Sequence, residues 1–269
     1  MTDTDLEHSM IWESFTGFLT LEQMGKVKLM NRVDTKFVMP SSRVAELLEL
    51  AAPGYYVQIT DSLKIAGYDT VYFDTDRSDY YIMHHNRRLA RQKIRSRIYL
   101  NSGITFLEIK NKSNRGRTKK KRILVEGGHP ESLTEDYAIK EFLEGRLDFP
   151  AHSLSPHLRT RFDRITLVSK AMTERVTIDI NLSFENLKNG NVYAMPWISI
   201  IEIKQDGTCH SDMKDILRCM HIHRMGFSKY CIGTATTDPK IKKNNFKEKL
   251  TIVKHIEKNA QNTSVSTGI

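Results

Sequence analysis

The chain has 269 residues, 39% of them hydrophobic and 9% aromatic, which suffices for a substantial core in one large domain. Lysine and arginine number 41 against 32 aspartates and glutamates, and the net charge of +9 favours polyanionic partners such as nucleotides, phosphates, nucleic acid or an anionic membrane. No run approaches the ~18 apolar residues of a transmembrane helix, and the acidic start MTDTDLEHSM lacks the features of a secretory signal. Cys209, Cys219 and Cys231 have no C-x-x-C spacing, so we expect reduced thiols in a cytoplasmic protein.

Alternation of apolar and polar residues and the distribution of helix-capping and turn residues define the elements that follow an N-terminal helical segment. In chain order we predict a strand over 31–39, a helix over 41–50, strands over 55–60 and 68–75, a helix or turn over 77–85, strands over 90–100, 103–112 and 118–126, a helix within 129–147, strands over 158–170, 174–187 and 197–207, and helices over 211–227 and 238–258. Ser132 marks the predicted start of the helix within 129–147 and Gly145 its end.

No repeat, Pro-rich linker or sharp change of composition divides the chain, so one main domain is predicted over residues 30–236. It is flanked by the helical segment 1–29, which we expect to pack on the body, by a basic helix over 237–258 and by a disordered tail over 259–269. Several strands carry polar residues on one face and apolar residues on the other. That pattern predicts an α+β fold built on an antiparallel β-barrel with a polar interior and flanking helices.

The strand ARQKIRSRIY, residues 90–99, places four cations two residues apart, and therefore on one face. Other strands repeat the pattern beside acids, as in Arg32-x-Asp34-x-Lys36, Glu108-x-Lys110 and Glu202-x-Lys204. One interpretation is a half-solvated sheet with its charges outside. The other is an inward-facing cationic surface, because the charged faces are mostly cationic and their few acids recur next to cations.

Energetics limits the inward arrangement. An unpaired buried ion costs several kcal/mol, so such a surface cannot line an empty apolar cavity. It can line a wet tunnel loaded with phosphates, where charge-assisted hydrogen bonds contribute about 1.5–3 kcal/mol each. Phosphates repel carboxylates, which leaves the few carboxylates of such a tunnel a separate task, the binding of a divalent metal.

An ordered set of motifs resembles a known family, the VTC (vacuolar transporter chaperone) polyphosphate polymerase domain of the triphosphate tunnel metalloenzyme, or CYTH-like, superfamily. The motifs are RVDTKFVM, VYFDT, RQKIRSRIY, FLEIKNK, the KKR strand, FDRITL, ERVTIDINLSF, IIEIK and FSKYCIG, and together they cover roughly residues 30–235. The resemblance implies an antiparallel barrel whose basic tunnel binds triphosphate groups and a divalent cation.

The resemblance also implies roles for individual residues. The predicted catalytic residues are Lys36, Arg95, Arg97, Glu202 and Lys229. The predicted phosphate-binding residues are Arg32, Lys36, Arg91, Lys93, Arg95, Arg97, Lys110, Lys120, Arg122, Arg164, Arg175, Lys204, Ser228 and Lys229. Glu202 and Glu108 would hold Mn²⁺ or Mg²⁺. The substrates would be ATP and polyphosphate or triphosphate, and a membrane-protein partner with a peripheral location is a further expectation from the family.

The first motif departs from the E-x-E-x-K signature of many superfamily members, since Arg32 and Asp34 stand at its acidic positions. Fewer carboxylates for a second metal weaken a hydrolase interpretation and suit transfer of the ATP γ-phosphate to a polyphosphate chain. Two alternatives stay open. One is a metal-dependent triphosphatase or polyphosphatase. The other is a non-catalytic module for polyphosphate or nucleic acid. The run NRGRTKKKR (114–122) is typical of a solvated hairpin tip, or of a segment that binds nucleic acid or a membrane surface. Nucleic acid is disfavoured because exposed aromatics do not interleave with the cations.

Overall fold

The computed structural model describes Leu6 and residues 9–24, 32–115, 117–207 and 209–266. They form one eleven-stranded sheet. Its strands are β1 (Phe18–Thr20), β2 (Arg32–Pro40), β3 (Tyr55–Ile59), β4 (Ile65–Thr75), β5 (Arg91–Tyr99), β6 (Ile104–Lys112), β7 (Thr118–Val125), β8 (Leu154–Ser169), β9 (Glu174–Asn186), β10 (Val192–Met195) and β11 (Ile198–Asp206). The α-helices are α1 (Leu21–Met24), α2 (Val44–Ala51), α3 (Asp79–His85), α4 (Tyr137–Leu143), α5 (Asp212–Cys219), α6 (Lys229–Thr237) and α7 (Lys247–Ser266). Short 3₁₀ helices cover Met10–Ser14, Ser41–Arg43, Ala151–Ser153 and Asn244–Phe246.

The sheet is antiparallel along its main path, β2-β11-β9-β8-β4-β5-β6-β7, with β10 on β9 and β3 on β8. A parallel pair, β1 with β3, adds the N-terminal segment. Register shifts at Tyr72/Phe73 and at Arg161/Asp163 mark bulges in the long central strands, where a sheet bends and twists more strongly. The sheet curls into a barrel-like shape, although no hydrogen-bonded ladder joins β2 to β7 within the described ranges.

The convex face of the sheet is apolar and covered by helices. One cluster packs Trp12 and Phe15 with α2 and α5 against β2, β11, β9 and β8. A second cluster packs α3 and α4 against β4, β5 and β6. Strand residues that point outward, such as Ile94, Ile178 and Ile201, are fully buried. Since side chains alternate along a strand, this burial directs their neighbours to the concave face.

Helix α6 lies inside the curl and fills one end of it. Gly233 approaches β9 so closely that a Cβ there would stand 2.4 Å from Phe184 Cδ1 and 2.8 Å from Leu158 Cδ2. The Tyr230 hydroxyl donates to Asp74, which also accepts backbone N–H groups at the start of α3. These contacts fix the helix, and therefore Lys229 in its first turn, against the concave face.

The structure confirms the predicted strands and adds β10. Trp12 and Phe15 of the N-terminal segment pack on the body, and beside the four-residue helix α1 the segment contains a 3₁₀ helix and β1, which were not predicted. Residues 1–5, 7, 8 and 25–31, including the predicted domain start at residue 30, lie outside the described residues. Helix α4 begins after Asp136, whose side chain caps it, and not at Ser132. Helix α5 ends at Cys219, eight residues before the predicted end at Phe227.

Two helices near the C-terminus differ most from prediction. Helix α6 is buried on nearly all sides, so it lacks the amphipathic period that identifies surface helices. Helix α7 begins at Lys247, well after residue 238, and continues to Ser266 through much of the predicted tail. None of the helices in the described ranges is long and apolar enough to cross a membrane.

Candidate functional site

The concave face of the curled sheet gathers the cations predicted from sequence. Lys110 on β6 lies within electrostatic range of Glu202 on β11, and Lys93 on β5 lies within range of Lys36 on β2. These pairs of strands stand far apart in sheet order, so the charges meet across the interior of the barrel. The same face includes Arg95, Arg97, Arg164 and Lys204, and Lys229 of α6 contacts it. We call the interior that these side chains face the channel.

Three channel carboxylates, Glu202, Asp179 and Glu108, each bind two cations. Glu202 accepts from Lys36 at 2.8 Å and from Lys204. Asp179 pairs with Lys229 and accepts two hydrogen bonds from Arg164, one from Nε at 2.6 Å and one from Nη2 at 2.9 Å. Glu108 binds Arg95 at 2.5 Å and Lys120 at 3.0 Å.

These pairs are local in the sheet, because their members are cross-strand partners or near neighbours. Lys36 lies opposite Glu202, Arg164 opposite Asp179 and Arg95 opposite Glu108. Burial alone would raise the pKa of each carboxyl, but the adjacent cations hold all three well below their usual range. The carboxylates are therefore ionised and fully engaged as ion-pair partners.

Four further cations have no carboxylate partner among the described residues. Arg97 donates to the Thr70 hydroxyl at 3.0 Å, and Lys93 donates to the Ser228 hydroxyl at 2.9 Å. The Nε of Arg175 is buried without a hydrogen-bond partner, and Lys110 is held close to Arg95 and Arg97. Burial and neighbouring Arg95 and Arg164 lower the pKa of Arg97 to about 10. A buried charge without a counter-ion costs several kcal/mol of folding free energy, and a bound anion would offset that cost.

An aromatic pair forms the floor beneath the central cations. Tyr68 and Phe162 stack with ring centroids 5.1 Å apart and an angle of 1° between the planes. The Arg97 and Arg164 guanidinium carbons lie 5.2 and 5.0 Å from the Tyr68 centroid, and Lys229 Nζ lies 4.0 Å from that of Phe162. Cation–π attraction helps to hold these cations in place without using hydrogen-bond donors, so the donors that are not bound to Asp179 or Thr70 stay available to an anion.

The pKa of Lys229 is lowered to about 7, since burial outweighs the attraction of Asp179. Burial likewise lowers the pKa of Lys204 to about 8, against the opposing effect of Glu202. Burial alone would raise the pKa of the Tyr72 phenol, but nearby Arg95, Arg97 and Lys93 bring it below its ordinary value. The channel thus has a strongly positive potential.

The remaining predicted phosphate-binding residues lie around the channel. Arg32 and Arg175 stand at the mouth formed by the start of β2, where Arg32 pairs with Asp34 at 2.7 Å. Lys120 and Arg122 project from the edge strand β7 and are exposed. Arg91 donates to the Arg88 carbonyl near the opposite end of β5. Ser228 caps α6 as well as contacting Lys93.

The carboxylate geometry favours one of the two predicted metal ligands. Within the described ranges no group of three or more His, Cys, Asp or Glu side chains could hold a metal ion. Glu202 has a side chain 17% exposed to the channel, so it could share a divalent ion with phosphate oxygens. Glu108 is 1% exposed with both oxygens bound by cations, which favours a role in positioning Arg95. Both assignments stay predictions.

Sequence reasoning did not assign three contributors to the channel. Asp179 shares the inward face with Arg175 and Thr177, and this parity was its available signal. Tyr68 and Tyr72 are hidden in the apolar run YDTVYFDT, where their position on the inward face is visible only once the pairing with β5 is known. The regular spacing of charges along one strand cannot reveal partners on another.

Comparison with known proteins gives a family. No curated protein matches the chain significantly. A candidate adenylate cyclase from Bacillus halodurans is 13% identical over 74% of this chain and 96% of its own, with a TM-score of 0.48. A candidate adenylyl cyclase from Hippeastrum with a dominant triphosphatase activity is 14% identical over 78% of this chain and 98% of its own, with a TM-score of 0.45.

A protein from Pyrococcus horikoshii is 12% identical over 76% of this chain and 99% of its own, with a TM-score of 0.43. The family comparison is more specific, because it matches the VTC domain over residues 31–237. This range contains every channel residue described above. Since the match extends over most of its length, the chain belongs to the VTC domain family.

Proposed function

We propose that this protein transfers the γ-phosphate of ATP to a polyphosphate chain inside the channel. Membership of the VTC domain family supports an enzyme that acts on triphosphates. The observation that carries the proposal is the set of inward cations without carboxylate partners among the described residues, Lys93, Arg97, Lys110 and Arg175. Phosphate oxygens are anions that forked guanidinium groups and ammonium groups bind well.

The proposed reaction needs no covalent enzyme intermediate. A terminal oxygen of the polyphosphate chain attacks the γ-phosphorus and forms a new P–O–P bond. The bond between the γ-phosphorus and the β,γ-bridging oxygen breaks, and ADP leaves with its electron pair. No proton transfer is required, because both the attacking and the leaving oxygen are ionised phosphate oxygens.

The channel residues support this step by positioning and by charge. Two polyanions must approach each other, and Arg95, Arg97 and Arg164 would neutralise their repulsion and the charge that develops on the equatorial oxygens. Asp179 and Glu108 hold two of these guanidinium groups in fixed orientations. Little reorganisation is then needed when the substrates bind. The catalytic assignments of Lys36, Arg95, Arg97, Glu202 and Lys229 belong to this proposal.

Mn²⁺ or Mg²⁺ is part of the proposed reaction. Glu202 would hold the ion together with substrate phosphate oxygens, which is how Mg²⁺ is often bound at phosphoryl-transfer sites. When bound, such an ion neutralises phosphate charge and orients the triphosphate. Lys36 and Lys204 pair with the Glu202 oxygens in the free protein. With the ion bound to Glu202, the two lysines would bind phosphate oxygens instead.

Incubation with ATP and Mn²⁺, with and without a short polyphosphate primer, tests the proposal. We expect ADP and a polymer that a gel resolves from orthophosphate. Arg97→Gln should abolish polymer formation, whereas Arg218→Gln, which removes an arginine 77% exposed on α5, should not. Pure, metal-loaded protein that forms no polymer under either condition contradicts the proposal.

Hydrolysis of triphosphate is the second candidate, and one observation favours it. A lysine with a pKa of about 7, as at Lys229, is partly neutral near pH 7 and could accept a proton from water. The channel carboxylates are poor bases, because their neighbouring cations hold their pKa well below the usual range and so weaken their affinity for a proton. Release of orthophosphate without polymer, at a rate that rises with pH through 7, would favour the hydrolase.

The cellular setting is also part of the proposal. Cys209, Cys219 and Cys231 are free thiols, which supports a reducing cytoplasmic compartment. A membrane-protein partner and a peripheral location stay predictions from the family resemblance. Binding of nucleic acid is disfavoured because the densest cations point into the channel and not onto one outer surface.

A further inference from the structure

The inward face of β5, β6 and β7 changes from charged to apolar towards one mouth of the channel. Cross-strand rows follow one another along these strands, and their inward members are, in order, Lys93–Lys110–Lys120, Arg95–Glu108–Arg122, Arg97–Phe106–Leu124 and Tyr99–Ile104. The last two rows therefore place apolar side chains next to the cations. We call Tyr99, Ile104, Phe106, Leu124 and the adjoining Arg122 the mouth patch.

The mouth patch is accessible. Leu124 is 59% exposed, Ile104 is 44% exposed, and Tyr99 and Phe106 are partly exposed. Burial of apolar surface contributes roughly 25 cal/mol per Å². A ligand that covers this contiguous apolar area beside the channel therefore gains binding free energy. A polyphosphate chain has no apolar part, and it cannot be what covers this surface.

The geometry of the mouth patch suits a flat aromatic ligand. The Arg122 guanidinium carbon lies over the Phe106 ring, 4.2 Å from its centroid, so a cation and an aromatic ring already meet at this mouth. Tyr99 meets Phe106 edge-on at 6.0 Å and an angle of 86°, and it also packs on Tyr68 at 5.2 Å. Arg122 is exposed, which leaves an open guanidinium face of the kind that stacks on nucleobases.

The distance from the cations fits one nucleotide. Phe106 lies four residues from Lys110 on β6, which corresponds to about 13 Å at roughly 3.3 Å per residue. A triphosphate held by Lys110, Arg95 and Arg97 would thus leave a ribose to bridge to the mouth. The base would then reach the aromatic and guanidinium faces.

We propose that the mouth patch stacks the base of a nucleoside triphosphate whose phosphates lie on the channel cations, and this rests on the proposed function. The substrate that enters from this mouth is a nucleotide and not inorganic triphosphate alone. No polar side chain in the mouth patch other than Arg122 and the Tyr99 hydroxyl can read the edge of a base. ATP and GTP should therefore bind with similar affinity, since every base offers a π-face.

Titration calorimetry of ATP and of tripolyphosphate against the full chain, under identical metal-free conditions, tests the inference. Wild-type protein should bind ATP more tightly than tripolyphosphate. Phe106→Leu should weaken ATP binding roughly tenfold, the loss expected from removing one stacking ring, and leave tripolyphosphate binding within about twofold. Tyr137→Leu, which removes a ring 80% exposed on α4, is the matched control and should change neither.

The outcomes separate this inference from the proposed function. If wild-type protein binds neither ligand, the channel is not a phosphate site and both fail. If ATP and tripolyphosphate bind equally and Phe106→Leu alters neither, the inference is overturned while the phosphate channel stands. Equal losses for both ligands overturn it too, since the ring would then support the phosphate site. A dimer in sedimentation that Phe106→Leu dissociates would assign the mouth patch to a second copy of the chain and overturn the inference.

Discussion

Asp179 on β9 accepts two hydrogen bonds, of 2.6 and 2.9 Å, from the guanidinium of Arg164 on β8, and the two residues lie opposite each other in the sheet. The same carboxylate binds Lys229 from α6. It therefore compensates two buried cations at once and joins the helix inside the barrel to the sheet that surrounds it. This relationship shows how the channel keeps its charge without ligand and still presents donors to one.

Asp179→Asn should destabilise the free protein more than the bound protein. Loss of the carboxylate leaves two buried cations uncompensated, which costs about 3–5 kcal/mol. Tripolyphosphate would replace the missing charge, so its stabilising effect should be larger in the variant than in wild-type protein. Thermal unfolding with and without tripolyphosphate measures both effects.

Asp76→Asn is the matched control, because Asp76 is 90% exposed and pairs with Lys188 outside the channel. It should unfold like wild-type protein in both conditions. A variant of Asp179 that unfolds at the wild-type temperature, or that tripolyphosphate fails to rescue, would show that this carboxylate does not compensate a phosphate site.

Arg97→Gln should separate stability from binding. The Arg97 guanidinium is buried beside Arg95 and Arg164 and has no carboxylate of its own among the described residues. Its removal should raise the free energy of unfolding of the free protein and weaken tripolyphosphate binding by about 10–100-fold, the loss expected from one or two charge-assisted hydrogen bonds.

Chemical denaturation and calorimetry measure these two quantities for Arg97→Gln, with Arg218→Gln on the surface of α5 as the control. If Arg97→Gln lowers both stability and affinity, the guanidinium is a structural element. Unchanged affinity would mean that phosphate does not reach the centre of the channel.

Much of this arrangement could be predicted from the sequence, because strand alternation fixes which side chains share a face. Lys36, Arg95, Lys110 and Glu202 were assigned to one charged surface from parity alone, and the structure brings them to the channel. Parity does not say whether that surface is inside or outside. The curl of the sheet decides it, and that curl depends on bulges and on helices packing outside.

Other parts could not be predicted for identifiable physical reasons. Helix α6 is buried on nearly all sides and offers no periodic signal, so the placement of Lys229 inside the barrel was visible only as a family motif. The partners of Asp179 are Arg164 on the neighbouring strand and Lys229 on a helix far along the chain, so no local pattern contains all three residues. The mouth patch depends on the pairing of Phe106 with Arg97 and Leu124, which no single strand contains.

The pH dependence of phosphate binding should reveal Lys229. Its pKa of about 7 means that the ammonium is charged below pH 7 and loses its proton as the pH rises through this value. Affinity for tripolyphosphate should therefore fall between pH 6 and pH 8. Calorimetry across this range measures the effect.

Lys229→Arg is the control for this titration, because arginine keeps its charge throughout the range. Comparing the affinities of the two proteins at each pH also cancels the effect of the ligand's own ionisation, since its negative charge increases with pH near 6. Parallel curves for wild-type protein and Lys229→Arg would show that Lys229 does not act through its charge.

Acid should destabilise the protein through buried His157. Burial lowers the pKa of His157 to about 4, below its ordinary value near 6.5. Below pH 6.5 the unfolded chain binds a proton that the folded chain rejects, so stability falls as pH decreases towards 4, by roughly 1.4 kcal/mol per pH unit. His157→Gln should make the slope between pH 6.5 and pH 4 shallower by this amount in denaturation experiments, while partly buried His84, whose pKa burial also lowers, keeps a slope of its own.

His255→Gln, on the exposed side of α7, is the control for His157 and should keep the wild-type slope. An identical slope in His157→Gln and wild-type protein would show that the proton is taken up elsewhere. The acid effect is independent of the channel, so added tripolyphosphate should not change the difference between the two variants.

A crystal structure of the protein with tripolyphosphate tests the central claim most directly. The account predicts three phosphorus peaks inside the curled sheet, with oxygens within hydrogen-bond distance of Arg95, Arg97 and Arg164. Phosphate found only on outward lysines such as Lys119 and Lys121 of β7, with the interior occupied by solvent alone, would contradict it.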